Sequence, residues 1–135
     1  MSKTILIMGL PKSGKTTFSE KVIDEFHKRE IPVTWFNSNE ISEEFDIQDD
    51  IVLSKKIREL VDESKTEYNV IDACGCTLKE RVLLNADYAI WLDTIEDSEH
   101  EFTQPDLSYL MMKLPTWGTP REAISVVNMV TGQYK

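Results

Sequence analysis

The eight residues Gly9-Leu10-Pro11-Lys12-Ser13-Gly14-Lys15-Thr16 carry the spacing G-x-x-x-x-G-K-[ST], the arrangement that a phosphate-cradling loop requires. Gly9 and Gly14 permit a tight curl whose backbone N–H groups point inward. A helix starting at its end adds unpaired N–H groups and a positive dipole end. Polyphosphate is the natural guest, with Lys15 bridging β- and γ-phosphate oxygens and the Thr16 hydroxyl ligating Mg²⁺. Pro11 removes one donor and stiffens the loop. The structural alternative is a glycine-rich turn that merely joins two elements.

A second set of polar residues belongs to the carboxyl ends of other apolar runs. Asp72 closes the run from Tyr68 and, with Gly75, forms Asp-x-x-Gly, where a carboxylate can orient Mg²⁺ directly or through water. An ordinary turn carboxylate fits as well. Asn37, Ser38, Asn39 and Glu40 leave another apolar run, and they suit either ligand contact or the capping of a helix. Cys74 and Cys76 are too near for an ordinary bridge, and with only His27 and His100 they are too few for a zinc site, so both are expected reduced.

The elements that must position these groups follow from hydrophobic period. Thr4 to Met8 is an uninterrupted apolar or β-branched run, as expected of a strand buried on both faces. From Lys15, the residues Phe18, Val22 and Phe26 recur every fourth position and predict a docked helix. Ile31 to Phe36 predicts a second strand. Asp49 to Lys65 predicts a helix with Ile57, Leu60 and Val61 inward, and Tyr68 to Asp72 a third strand. Thr77 and Glu80 form a capping box for a short helix to Leu84, and Tyr88 to Leu92 makes the fourth strand. Residues 93–104 read as a solvated acidic connection. Leu107 to Leu114 also satisfies helical spacing but is taken as a fifth strand, completing five alternating β and α units. Thr119, Pro120 and Glu122 announce a last helix, with Ile124, Val127 and Val130 inward and Gly132 as its stop.

The 135 residues suffice for one domain, 1–135, with a single sheet. Acidic side chains outnumber basic ones 24 to 15, and the net charge of −9 repels nucleic acid in the absence of a basic patch. Lys55, Lys56 and Arg58 are interrupted by apolar residues and read mainly as a solvated face. No 18-residue apolar span or signal-peptide arrangement occurs, so a cytoplasmic protein without membrane contact is expected, as a monomer or homodimer. Trp35, Trp91 and Trp117 are expected to be core residues.

With residues and order in view, the chain resembles the small P-loop kinases and looks most like adenylylsulfate kinase, including the short versions carried by bacteriophages. The likeness is sharpest over Gly9 to Thr17. It continues where Phe36-Asn37-Ser38-Asn39-Glu40-Ile41-Ser42 occupies the place of the family's Leu-Asp-Gly-Asp-Asn-Ile-Arg. The resemblance implies the P-loop nucleoside triphosphate hydrolase/kinase fold: three α/β/α layers around a five-stranded, mostly parallel sheet. It also implies ATP-dependent phosphoryl transfer to a small-molecule hydroxyl. The implied cofactors are ATP, held by Gly9, Leu10, Pro11, Lys12, Ser13, Gly14, Lys15, Thr16 and Thr17, and Mg²⁺, held by Thr16 and Asp72. Lys15, Asp72, Asn37 and Arg58 form the expected catalytic set. Arg58 is the first choice for an acceptor contact and Arg81 the second, each equally readable as a surface charge.

The departures from that pattern bear on chemistry. Asn37 and Asn39 stand at the family's two aspartates, Ser38 at its glycine and Ser42 at its arginine, and an asparagine amide cannot act as a base near neutral pH. Loss of the arginine removes a fork of donors suited to sulfate or phosphate. No arginine follows Asp93 in the lid position before Arg121. A nucleotide-binding regulatory or structural protein with little or no turnover is therefore the alternative reading, and a hydrolytic switch, supported by Asp72-x-x-Gly75, a third.

Overall fold

The computed structural model describes residues 2–75, 77–95, 102–115 and 118–133. Strand β1 (Lys3–Met8) leads into α1 (Lys15–Lys28), then β2 (Val33–Asn37), α2 (Ser38–Glu44), α3 (Asp50–Glu63), β3 (Tyr68–Asp72), α4 (Leu78–Leu84), β4 (Tyr88–Leu92), β5 (Met112–Leu114) and α5 (Pro120–Thr131). The strands lie in the order β2-β3-β1-β4-β5, and all four pairings are parallel. The three-layer α/β/α architecture expected from the sequence is thus present.

Side-chain alternation along β1 divides the core. Ile5 and Ile7 pack with Phe18, Val22 and Phe26 of α1 and with Val126, Val127 and Val130 of α5, while Leu6 and Met8 face Ile57 and Val61 of α3 and Leu84 of α4. Every one of these side chains is almost completely buried, which explains why β1 reads as a continuous apolar run rather than an alternating one. Where α5 begins beside α1, a Cβ on Gly118 would lie 2.1 Å from the Phe18 ring, so the close approach of the two segments needs glycine there.

Helix ends follow the expected chemistry. The reciprocal Thr77–Glu80 capping box is present, Thr119 caps α5 with Pro120 in its first turn, and Gly132 ends α5 at φ 71. Asp49 caps α3 by accepting from the N–H groups of Ile51 and Val52.

Two expectations are corrected, for the fifth strand and for Cys74, while the helix-cap reading of the exit from β2 is met. Only Met112–Leu114 of the proposed fifth strand is extended, since Leu107–Tyr109 forms a 3₁₀ turn. The cause is local: Asp106 Oδ1 accepts from both the N–H and the hydroxyl of Ser108, at 2.9 and 2.8 Å, and this side-chain turn competes with strand geometry. The polar exit from β2 is a helix, α2, capped by Asn37. Cys74 is disulfide-bonded rather than reduced; Gly75 at φ 57 curls the chain sharply right after it, and Cys76 lies outside the described residues.

Trp91 is buried, and Trp35 is half-buried with its indole Nε1 unpartnered among the described residues. Trp117, much of the acidic connection at 96–101 and its His100 lie outside the described residues.

Candidate functional site

The loop after β1 is held from three sides before it meets any ligand. The Gly9 N–H donates to the Cys74 carbonyl at 3.1 Å, the Ser13 N–H closes a turn onto the Leu10 carbonyl at 3.1 Å, and the Thr94 hydroxyl donates to the Ser13 carbonyl at 2.9 Å. A Cβ on Gly9 would sit 2.6 Å from Ser13 Oγ and 2.8 Å from the Leu92 carbonyl oxygen, so the curl admits no side chain at that position. Gly14 enters α1 at φ 98, and Lys12 takes the left-handed conformation at φ 69, a strain of about 1–2 kcal/mol for a non-glycine residue. The Ser13 hydroxyl is fully buried and has no hydrogen-bond partner among the described residues.

Three more side chains meet at the carboxyl edge of β3. Asp72 Oδ2 accepts from the Thr16 hydroxyl at 2.9 Å and from the Asn37 amide at 3.1 Å. The sheet brings them together, because Asp72 pairs in register with Ile7 of β1 on one side and Asn37 of β2 on the other. Asn37 spends its amide twice: Oδ1 accepts from the Glu40 N–H at 3.1 Å as the cap of α2, while Nδ2 donates to Asp72. Capping and contact with the site, alternatives in the sequence, are simultaneous in the structure.

The electrostatics of this cluster are unbalanced. Burial lifts the Asp72 carboxyl above its ordinary pKa, against the pull of the Thr16 hydrogen bond and the Lys15 charge, and Glu40 pushes the same way as burial. Burial also lowers the Lys15 ammonium, although Asp72 opposes that shift. Lys15 Nζ donates to the Leu10 carbonyl at 3.1 Å. Both charged groups are thus held in surroundings that disfavour their charges, which a phosphate beside Lys15 and a cation beside Asp72 would relieve. The glycine-bracketed loop bordering the cleft, the Thr16–Asp72 oxygen pair and the under-neutralised ammonium fit a Mg²⁺-bound triphosphate. No group of three or more His, Cys, Asp or Glu side chains suited to a metal occurs among the described residues, so the cation would draw oxygens from the ligand itself.

A cleft of about 550 Å³ opens beside the loop. Lys12, Lys15 and Thr16 line one wall, and Ser42 of α2, Asp50 of α3 and Glu80 of α4 stand on the other. Two expected contacts are absent from it. Arg58 is corrected: its guanidinium donates to Asp62 Oδ1 at 3.0 and 2.7 Å and to the carbonyls of Leu84 and Asn85 at 2.9 and 3.1 Å, lashing α3 to the end of α4 on another face. Arg81 is buried, donates to the carbonyls of Gly75 and Thr103, and lies 5.0 Å from the Phe102 ring centre. Thr94 and the cleft-facing Asp50 and Glu80 escaped sequence reasoning. Thr94 follows β4 at the ligand-bearing edge of the sheet, a position that could have marked it.

The family model described as "Chromatin associated protein KTI12" matches residues 3–81. No curated protein sequence matches the chain. Among solved structures, the APS kinase CysC of Mycobacterium tuberculosis in complex with AMPPNP and APS superposes with a TM-score of 0.79 at 13% identity, over 96% of this chain and 98% of that one. Shikimate kinase from Acinetobacter baumannii in complex with shikimate gives 0.59 at 13% identity, over 98% and 94% of the two chains. At these identities the likeness establishes the fold, that of the P-loop kinases.

Proposed function

We propose that this chain, which belongs to the KTI12 family, binds ATP with Mg²⁺ and transfers the terminal phosphoryl group to a small-molecule hydroxyl in the cleft. The observation that carries this reading is the meeting of Thr16 and Asn37 on the buried Asp72 carboxylate, directly behind a cleft that Lys15 and Thr16 line.

In this reading the loop N–H groups and Lys15 hold the triphosphate, and Lys15 stabilises charge spreading over the transferring group. Thr16 and Asp72 orient the metal. Mg²⁺, when bound, neutralises phosphate oxygens and aligns the leaving group. Asn37 fixes Asp72 and cannot itself take a proton, so the reaction relies on positioning and charge stabilisation more than on a strong base. The fold likeness to kinases that bind AMPPNP with APS, or shikimate, supports a nucleotide and a second small ligand together.

A second reading has its own support. The Asn37 amide is committed to Asp72 and the α2 cap, and the family description is chromatin associated, which favours a nucleotide-controlled binding protein with little turnover. With a net charge of −9, such association would be with proteins rather than with a phosphate backbone.

Labelled ATP incubated with nucleosides, sugars, amino alcohols and adenylylsulfate separates the two. Transfer to one acceptor class, lost in Lys15→Ala, supports the kinase. Saturable ATP binding by calorimetry with neither transfer nor hydrolysis supports the binding protein. Absence of any ATP or GTP binding in the presence of Mg²⁺ removes both.

A further inference from the structure

The two walls of the cleft differ in charge. All of its cationic groups among the described residues, Lys12 and Lys15, belong to the phosphate loop. Among the described residues that line the opposite wall, from α2, α3, the β3–α4 turn and α4, there is no Lys, Arg or His, and the carboxyls are Asp50 and Glu80.

Two hydroxyls on that wall, which the Ser38 hydroxyl and the Asn39 amide also line, point the same way. The Ser42 hydroxyl hydrogen is spent on the Ile47 carbonyl at 2.6 Å, and that of Ser54 on the Asp50 carbonyl at 2.8 Å, so both oxygens are left as acceptors. Glu80 Oε2 accepts from the N–H and hydroxyl of Thr77 at 2.9 and 2.8 Å, which keeps the carboxylate fixed without cancelling its charge. Asp50 has no salt bridge among the described residues. Glu80 has its charge answered by the neighbouring Arg81 guanidinium, but beside Asp50 a sulfate, phosphate or carboxylate would meet lone pairs and a carboxylate with no lysine or arginine on the same wall, whereas hydroxyl and ammonium groups would find acceptors.

Resting on the phosphoryl-transfer reading above, we propose that the acceptor is an alcohol without negative charge, a polyol or an amino alcohol, and that Asp50 sets the preference for the amino form. In the step, the acceptor oxygen bonds to the γ-phosphorus as its bond to the β-bridging oxygen breaks. A nucleoside diphosphate leaves, and the hydroxyl proton departs on the transferred phosphoryl group.

The test uses three matched alcohols, 2-amino-1,3-propanediol, glycerol and glycerate, titrated calorimetrically into protein saturated with Mg²⁺ and AMPPNP, with phosphoryl transfer from labelled ATP followed in parallel. The expected order of affinity is amino alcohol, then glycerol, then glycerate. Asp50→Asn is expected to weaken the amino alcohol about tenfold while leaving glycerol and AMPPNP binding unchanged. Equal or tighter binding of glycerate or adenylylsulfate overturns the acceptor class, and transfer to that anion leaves the phosphoryl-transfer reading standing. Failure of AMPPNP itself to bind overturns both. An unaltered melting temperature in Asp50→Asn, accompanied by no change in selectivity, removes Asp50 from the proposal.

Discussion

The Asn37 amide donates to Asp72 Oδ2 at 3.1 Å, from a strand position directly opposite it in register. An aspartate at 37 would set two carboxylates against each other inside a buried cluster. Asn37→Asp is therefore expected to lose about 1–3 kcal/mol of stability at neutral pH. The loss should shrink as pH falls and one of the pair takes up a proton. Urea denaturation at neutral and mildly acidic pH measures this, and a variant as stable as the parent at both would show that the amide contact contributes nothing.

Lys15→Ala should separate binding from folding. The lysine lies where burial disfavours its charge, so its removal is expected to leave the melting temperature unchanged or higher. ATP affinity should fall at least about 100-fold, as a charge-assisted phosphate contact and its counter-charge are lost together. Thermal melts and calorimetry on one preparation report both. A destabilised protein with intact ATP affinity would contradict both expectations.

The pH dependence has two limbs of opposite sign. The folded Asp72 carboxyl is raised, so its contribution to stability is fully present below the unfolded carboxylate range and is lost as pH rises through the raised value. The folded Lys15 ammonium is lowered, so its contribution is present above the ordinary ammonium range and is lost as pH falls through the lowered value. Mg²⁺-bound ATP favours both charged forms. Binding should release protons through Asp72 on the acidic limb and take them up through Lys15 on the alkaline limb. Calorimetry in buffers of different ionisation enthalpy, comparing parent with Asp72→Asn and Lys15→Met, cancels the ligand's own protons. Identical proton counts in parent and variants would refute the linkage.

Gly9→Ala tests the curl. Its methyl group would meet a backbone carbonyl as well as the Ser13 hydroxyl, so the clash cannot be relieved by one side-chain rotation. A destabilisation of about 1–3 kcal/mol with loss of ATP binding is expected. Denaturant titration and calorimetry provide the check.

Arg81→Lys should act on the chain that follows β4 rather than on the ligand. The guanidinium joins α4 to the Gly75 and Thr103 carbonyls and lies over Phe102, whose ring stacks on Trp91 at 5.5 Å. A single ammonium cannot reproduce that fork. About 2 kcal/mol of stability should be lost, with faster amide exchange across residues 102–110 and ATP affinity within about threefold of the parent. A larger fall in affinity would return Arg81 to the ligand site.

Legibility in the sequence followed burial. β1, β3 and β4 were readable because strands covered on both faces are predominantly apolar, and α1, α3 and α5 because each presents a stripe to one face of the sheet. α2 buries only Ile41, so no stripe announced it, and its capping residue was readable only as one of two alternatives. Asp106 and Ser108 broke the fifth strand through a side-chain turn that hydrophobic period does not register. Within the site, the loop and Asp72 were visible as a motif and a strand end. The direction taken by Arg58 was not, since a charge on a helix carries no mark of which neighbour it meets. Glu80 was legible as a cap and silent about the cleft it also borders.

The strand order has a consequence for how such a molecule can change over generations. The gripping half is drawn from β1 and α1, the receiving half from α2 and α3, and β3 lies between β1 and β2 with Asp72 at its tip. On the proposed reading, substitutions in the receiving half can therefore redirect the choice of guest without disturbing the machinery that clasps the nucleotide. Novelty has a separate place to accumulate.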